Sequence, residues 1–439
     1  MRASVAVCSL FRFLGICSLG FGISSFWFAA LAAEAPQAGG NELPPVSPAA
    51  SDWPWWRGLS GNNVASGPED PPLHWSATEN VVWKADLPGR GHGTPCLWGE
   101  RLFVPTADDK EQARYVLCYD RRNGQKLWQT EIHRGGLMRQ HPKNSNASPT
   151  PACDGERVFM PFIAQGGIWL ASLSVDGKSL WKQRLGDFQS MHGYGASPLL
   201  YRSLVIVAAD HLQGSFIIAL HRKTGETVWR TSRPDYKLGT YASPVAGRIA
   251  GRDQLIIQGP YKVFSYDPAS GKQLWTCDGP NESATSTVSF NEQCVWAAAG
   301  FPGKNLLCIR GDGSGDVTAT HILWKKENNT AYVPSLLLAD SLLYMVEDEG
   351  RLSCLEAQTG ALVWQDKLRG AFSSSPVLAG GNIYVVNEAG VTYVFKAGRK
   401  FELLAQNDLA NGGYATPVFS GGSVYLRTLN HLFCLGKAR

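Results

Sequence analysis

Asn123-Gly124-Gln125-Lys126-Leu127-Trp128 closes a strand-like run, and its Gly and Trp return in register four more times. The copies are Asp176-Gly177 to Trp181, Thr224-Gly225 to Trp229, Ser270-Gly271 to Trp275 and Thr359-Gly360 to Trp364. Trp324 keeps its place after the Gly has gone, and between Gly398 and Leu404 the Trp is lost as well. Successive Trp residues lie 40 to 53 positions apart, the extremes being Trp324 to Trp364 and Trp128 to Trp181. That period is the length of one four-stranded sheet with its turns, so the chain reads as a repeat protein built of such sheets.

A second phrase falls between the Trp marks. Thr94-Pro95, Thr150-Pro151, Ser197-Pro198, Ser243-Pro244, Ser375-Pro376 and Thr416-Pro417 each introduce an apolar stretch. Leu102, Val158, Val205, Ile383 and Val424 follow seven positions after their Pro, and Thr287-Val288 and Ser335-Leu336 keep the same spacing to Val295 and Leu343. Eight hydroxyl-bearing strand starts predict eight blades. Within each unit the Gly supplies the left-handed backbone of a tight hairpin, Pro at the start of the first strand loses no ladder bond, and the Trp offers a broad face to the next blade.

The chain ends predict how the ring closes. Val81-Val82-Trp83-Lys84-Ala85-Asp86-Leu87 is a Trp strand with no blade before it, and Thr416 to Leu435 is a blade that stops before its Trp strand. Joining the two completes an eighth blade and removes both sheet edges. The expectation is an all-β, eight-bladed propeller of four-stranded antiparallel blades over residues 80–436. The blades fall near 92–132, 147–186, 196–232, 241–277, 284–326, 332–368, 373–409 and 414–436, the last completed by 80–87.

Of 439 residues 44% are hydrophobic and 18% charged, with 47 Gly and 15 Trp, a globular balance with the turn content of a β protein. Residues 1–32 have the form of a secretion signal: Arg2 and Arg12 flank its start, an apolar run begins at Phe13, and Ala30-Leu31-Ala32 is a small-residue cleavage site. The apolar run from Leu14 to Ala33 is also long enough for an uncleaved membrane anchor. Either way the folded part is exported, to the periplasm or cell envelope. Without Arg2 and Arg12 the net charge falls from +4 to +2, which suggests no nucleic-acid surface. Residues 33–79 divide into a Pro/Ala-rich tether and the Trp-rich leader Asp52-Trp53-Pro54-Trp55-Trp56-Arg57-Gly58, whose aromatic area predicts packing on the propeller. Cys118, Cys308, Cys354 and Cys434 occupy matching core positions in the strand before the Gly turn, whereas a disulfide among Cys96, Cys153, Cys277 and Cys294 stays open.

These phrases resemble the PQQ-like propeller repeat of quinoprotein alcohol dehydrogenases and of BamB-type outer-membrane assembly proteins, over residues 80–436. The dehydrogenase side of the resemblance implies pyrroloquinoline quinone and calcium over the central channel, a vicinal Cys-Cys disulfide and an Asp base. No adjacent Cys pair and no Cys-x-x-Cys-His occurs, and no catalytic Asp or calcium-binding Glu maps onto a matching motif. The BamB side implies an exported, non-enzymatic ring acting through surface loops. The leading expectation is therefore a non-catalytic binding or scaffold module with a protein or saccharide-like partner. A quinone-dependent dehydrogenase is the alternative, and no cofactor, catalytic residue or metal ligand is assigned.

Connections from each Trp strand to the next Ser/Thr-Pro strand all emerge on one face, which makes the channel mouth the default binding site. The candidates there are Arg90, His92, Arg139, His141, Lys143, His192, Tyr194, Tyr241, Glu282, Tyr332 and Tyr414. Two connections are long, 22 residues from Trp128 to Thr150 and 16 from Trp181 to Ser197. The first, with His133, Arg134, Arg139, His141 and Lys143, is predicted to be a basic loop suited to an anion or an acidic partner.

Overall fold

Eight antiparallel sheets follow one another around a ring in the computed structural model, which describes residues 42–67 and 69–437. Blade 1 runs from Cys96–Trp98 at the channel through Arg101–Asp108 and Ala113–Asp120 to Lys126–Arg134 at the rim. Blades 2 to 7 repeat that order. Blade 8 is closed as expected: Val81–Asp86 is its outermost strand and pairs antiparallel with His431–Leu435. The first cleavage-site and anchor residues, 1–32, lie outside the described residues.

Burial along a strand follows its place in the blade. Middle strands are covered on both faces by neighbouring blades, so Leu204–Ala209 is buried at every residue and reads as an unbroken apolar run. Outer strands alternate, as in Ile322–Glu327, where only one face meets the next blade.

The repeated Gly and Trp meet across the joint between blades. A Cβ on Gly124 would stand 2.5 Å from the Trp83 ring of the preceding blade, and Gly177, Gly225, Gly271 and Gly360 are equally close to Trp128, Trp181, Trp229 and Trp324. Most of these indoles also donate their N–H to the following blade's turn, Trp83 to Arg121 O at 2.9 Å and Trp128 to Val175 O at 3.0 Å, whereas the Trp181 N–H has no partner among the described residues. Trp229, Trp324 and Trp364 do the same to Pro268, Ala357 and Gly398. The Gly thus serves the hairpin by its positive φ and the joint by its missing side chain.

Two irregularities in the sequence have structural causes. Where blade 5 lacks its Gly turn, the chain makes an excursion whose strand Gly315–Asp316 pairs in parallel with Trp275 and Thr276, so blade 4 has five strands rather than the four expected. Trp275 is then fully buried and donates to Gln254 Oε1 of its own blade at 2.7 Å. Blade 7 has no Trp, and the turn it would cover is missing because the last two strands of blade 8, His431–Leu435 and Val81–Asp86, are not consecutive in sequence. Trp75 of the leader takes the place. It stacks on Tyr384 with centroids 6.2 Å apart, and Tyr384 holds the second-strand position at which Phe103, Phe159, Tyr344 and Tyr425 meet Trp128, Trp181, Trp364 and Trp83.

The leader does pack on the propeller, bonding seven blades and bordering a crevice with the fourth. Trp53 exchanges backbone hydrogen bonds with Leu97 of blade 1, and Pro54 O accepts from Cys153 N of blade 2. Leu43 N donates to Ser203 Oγ of blade 3, and Trp55 and Trp56 border a crevice with Pro244 and Val245 of blade 4. Asn62 bonds the Phe290 backbone of blade 5, while Arg57 reaches Leu336 O of blade 6 at 2.9 Å. Asn63 and Ala65 flank Leu378 of blade 7, and the Glu69 carboxylate accepts from Gly421 N and Gly422 N of blade 8. Leu43 is already docked, so the tether expected over residues 34–51 is a packed segment in its last part. Arg57 is fully buried among carbonyls, and burial brings its guanidinium down to about 9.

The eight described cysteines are free thiols in the blade interiors, which answers the question left open at Cys96, Cys153, Cys277 and Cys294. Cys96 Sγ donates to Pro54 O at 3.1 Å, holding the leader instead of a partner sulfur.

Candidate binding site

The hydroxyls that counted the blades also join them. The backbone N–H of Thr94 donates to Thr150 Oγ1, and the same bond runs from Thr150 to Ser197, Ser197 to Ser243 and Ser243 to Thr287. It continues from Thr287 to Ser335, Ser335 to Ser375 and Ser375 to Thr416, the seven distances spanning 2.8 to 3.4 Å. Thr94 Oγ1 closes the circle by donating to Thr416 O at 3.4 Å. All eight side chains line a central cavity of about 440 Å³. Proline must follow at most of these positions for a local reason, but the hydroxyl is fixed by the ring as a whole, since each serves the blade before it.

The channel does not run through. Trp56 lines the cavity from the leader side and donates its indole N–H to Thr287 Oγ1 at 3.0 Å. What remains is a blind funnel open on the face where the connections between blades emerge.

Around the mouth, His92 packs on Tyr414 with centroids 4.4 Å apart, and His141 stands edge-on to His192 at 5.4 Å. Lys143 Nζ lies 2.9 Å from Glu388 Oε1, an ion pair that reaches from the blade 1 connection to blade 7, and Ser373 donates to the same oxygen at 2.7 Å. Asp348 accepts the backbone N–H of Tyr332 at 3.0 Å and of Val333 at 3.3 Å. Burial raises the Asp348 carboxyl above its ordinary value against those bonds. Burial, with Tyr332 nearby, brings the Tyr241 phenol up to about 12.

His92 is pushed down to about 3, first by burial and then by the Arg427 and Arg90 charges. It is therefore neutral in the folded protein, while in the unfolded chain it takes a proton near pH 6.5. Between these values the unfolded state binds more protons, so the contribution is complete above pH 6.5 and is lost as pH falls towards 3. Urea unfolding at pH 7, 6 and 5 is expected to show the wild type losing up to about 1.4 kcal/mol per pH unit more than His92→Gln. Parallel curves would contradict this.

The structure brings His92, His141, Lys143, His192, Tyr241, Tyr332 and Tyr414 together at the cavity. Four candidates fall elsewhere. Tyr194 is in the core, donating to Ala208 O at 2.9 Å, because its ring fills space beside Phe188. Arg90 turns its guanidinium to Pro142 O, and Arg139 is exposed outside the cavity. Glu282 lies off the cavity too, and Asn281 beside it gives its amide to Gly303 O. The basic loop is shorter than the spacing implied, since the outer strand of blade 1 extends through Arg134. His133 packs against Phe162 and Trp169, and Arg134 pairs with Glu131 and Glu111.

Asp348 and Glu388 escaped the sequence reading because turns between second and third strands reach the same mouth as the connections between blades. The signal was present: Val346-Glu347-Asp348-Glu349-Gly350 and Val386-Asn387-Glu388-Ala389-Gly390 are the same turn in successive blades. Trp56 was noticed only as an area to be covered.

The cofactor of the alternative reading is poorly matched by this donor set. Among the described residues no three His, Cys, Asp or Glu side chains are grouped to hold an ion. Asp348 is the one lining carboxylate without an ionic partner, Glu388 is paired with Lys143, and no cysteine lines the cavity.

An eight-bladed ring with indole joints and a blind, hydroxyl-lined channel defines a PQQ-like propeller protein. The family model described as outer membrane protein assembly factor BamB matches residues 30–162, 112–366 and 313–428, and the chain belongs to that family. Outer membrane protein assembly factor BamB of Burkholderia pseudomallei is 24% identical over 358 residues, covering 79% of this chain and 85% of the relative. That of Legionella pneumophila is 27% identical over 119 residues, 27% of this chain and 30% of the relative. Among solved structures, BamB from Moraxella catarrhalis has a TM-score of 0.61 at 16% identity, covering 82% of this chain and 98% of its own. A europium-containing methanol dehydrogenase has a TM-score of 0.64 at 13% identity, covering 87% and 91%. The two structures share the fold with this chain and differ from each other in function, so the fold alone does not choose between them.

Proposed function

We propose that the protein is a non-catalytic scaffold of the cell envelope that docks a polypeptide partner on its loop face. The observation that carries this reading is a run of aromatic side chains along the rim of blades 4 to 6. Phe301 is 56% and Tyr261 41% exposed, and ring contacts join Tyr236 to Tyr261 at 5.6 Å and Phe301 to Tyr332 at 6.5 Å. Met191 adds a side chain 61% exposed on the connection after blade 2. Exposed apolar area of this kind on a rigid rim is suited to protein contact. Membership of the assembly-factor family points the same way, to a partner among proteins of the outer membrane. Export through residues 1–32 belongs to this proposal. Among the described residues no helix is long and apolar enough to cross a membrane.

A photo-activated cross-linker at Phe301, Tyr261 or Met191, in the full chain within its own envelope, is expected to capture one recurring protein. The same group at Leu127 or Leu180, exposed on the outer strands, is expected to capture none. Equal capture from both sets, or none from either, would overturn the reading.

A further inference from the structure

The blind cavity shares only Tyr332 with the aromatic rim, and its chemistry selects a ligand class. Its three charged side chains are Lys143, Asp348 and Glu388. Lys143 and Glu388 already neutralise each other at 2.9 Å. An anionic ligand would enter beside the Asp348 carboxylate with no cation in the lining but the paired Lys143, since Arg90 and Arg427 lie outside the lining and are turned to backbone carbonyls. A cationic ligand would find only the Asp348 carboxylate to hold it and would face the hydroxyl hydrogens of the belt. An uncharged ligand meets neither opposition.

The hydrogen-bonding groups narrow the class further. Each belt oxygen from Thr150 round to Thr416 accepts a backbone N–H, which leaves its hydroxyl hydrogen to donate. Among the described residues no acceptor takes those hydrogens at Thr150, Ser197, Ser243, Thr287, Ser335, Ser375 or Thr416, so the wall offers a ring of donors. Asp348 spends its oxygens on two N–H groups and keeps lone pairs to accept from a ligand hydroxyl. Thr285 Oγ1 and His92 Nε2, both in the lining, are buried without a partner. At the floor the Trp56 N–H is taken by Thr287, so the indole turns only carbon towards the cavity. A ligand that suits this wall has many oxygens, both donating and accepting, on a compact frame with C–H faces.

We propose that the cavity binds a small uncharged saccharide, its hydroxyls spread over the belt and Asp348 and a C–H face against Trp56. The volume of about 440 Å³ is in the range of small-molecule sites. This goes beyond docking at the rim and does not depend on it.

Calorimetric titration and saturation-transfer NMR on the full chain would use N-acetylglucosamine, its β-1,4-linked trimer and maltotriose, with inorganic phosphate and trilysine as charged controls. Saturable binding of at least one sugar is expected, with no binding of either control. Asp348→Asn should weaken it about tenfold, as loss of a hydrogen bond to a charged acceptor does. Tyr241→Leu, at the mouth and away from the Asp348 turn, is the second variant should Asp348→Asn not fold, and should weaken binding as well. No sugar binding in the millimolar range, tighter binding of phosphate or trilysine, or sugar binding unchanged by whichever variant folds would each overturn the proposal. Cross-links from Phe301 would be untouched by such a failure, and their own absence would leave sugar binding standing.

Discussion

Asp210→Ala is expected to remove about 3–5 kcal/mol of stability, the cost of stranding a buried charge. Asp210 follows the second strand of blade 3, and Arg233 follows its outer strand. Their side chains are 3% and 2% exposed. Arg233 Nε lies 2.6 Å from Oδ1 and Nη2 3.0 Å from Oδ2, a two-point pair, and Thr240 donates to Oδ2 at 2.7 Å. Arg233 also reaches the Tyr266 hydroxyl at 3.1 Å and lies over the Phe264 ring at 4.3 Å. Burial opposes the Arg233 charge, yet Asp210 and Tyr266 hold its pKa above the ordinary value. Without Asp210 only the burial remains. Urea unfolding should show the loss, and the double change Asp210→Ala with Arg233→Met should recover much of it, because the stranded charge is gone. A single-variant loss below about 1 kcal/mol would mean that the pair is not what holds this corner. The corner matters to the site, since Thr240 ties the connection carrying Tyr241 to Asp210.

Trp75→Ala should cost a similar amount, about 3–5 kcal/mol, as large aromatic truncations in packed cores do. Trp75 is 4% exposed between blades 7 and 8, and its backbone N–H donates to Asn407 Oδ1 at 3.0 Å. Asn407 returns a bond from its amide to Leu73 O at 2.9 Å. The damage should be local as well as large. Val81–Asp86 is joined to the rest of blade 8 only by pairing, so amide exchange in that strand should accelerate more than exchange in Lys126–Arg134 of blade 1. Uniform acceleration round the ring would show that Trp75 fills space without securing the closure. Trp75→Phe keeps a ring against Tyr384 and should fall between.

What repeats in the sequence was legible, and what occurs once was not. The hydroxyl starts, the Gly and Trp marks and the split blade gave the blade count and order, because each copy repeats one physical demand. Trp75 and Trp56 stand outside the repeat, and nothing local says that one replaces a missing indole and the other ends the channel. Tyr194 failed as a site residue for a related reason. A tyrosine on a connection reads as polar and exposed, while its burial depends on Phe188 and the end of the next blade's second strand. Asp348 and Glu388 sit on turns between second and third strands, which reach the mouth beside the connections between blades. His133 was misplaced because two outer strands run nine residues where others run six, a length that no turn residue announces.

Propellers lengthen and shorten in evolution by duplicating or losing whole blades, which costs little when each blade touches only its neighbours. Here one non-repeated segment is bonded to seven of the eight and borders the other. A ninth blade copied into the gene would have no stretch of leader to meet it, and a lost blade would leave slack beneath the ring. The segment from Leu43 to Trp75 is a gauge cut to one circumference, so the blade count is set by the one part of the ring that is not repeated.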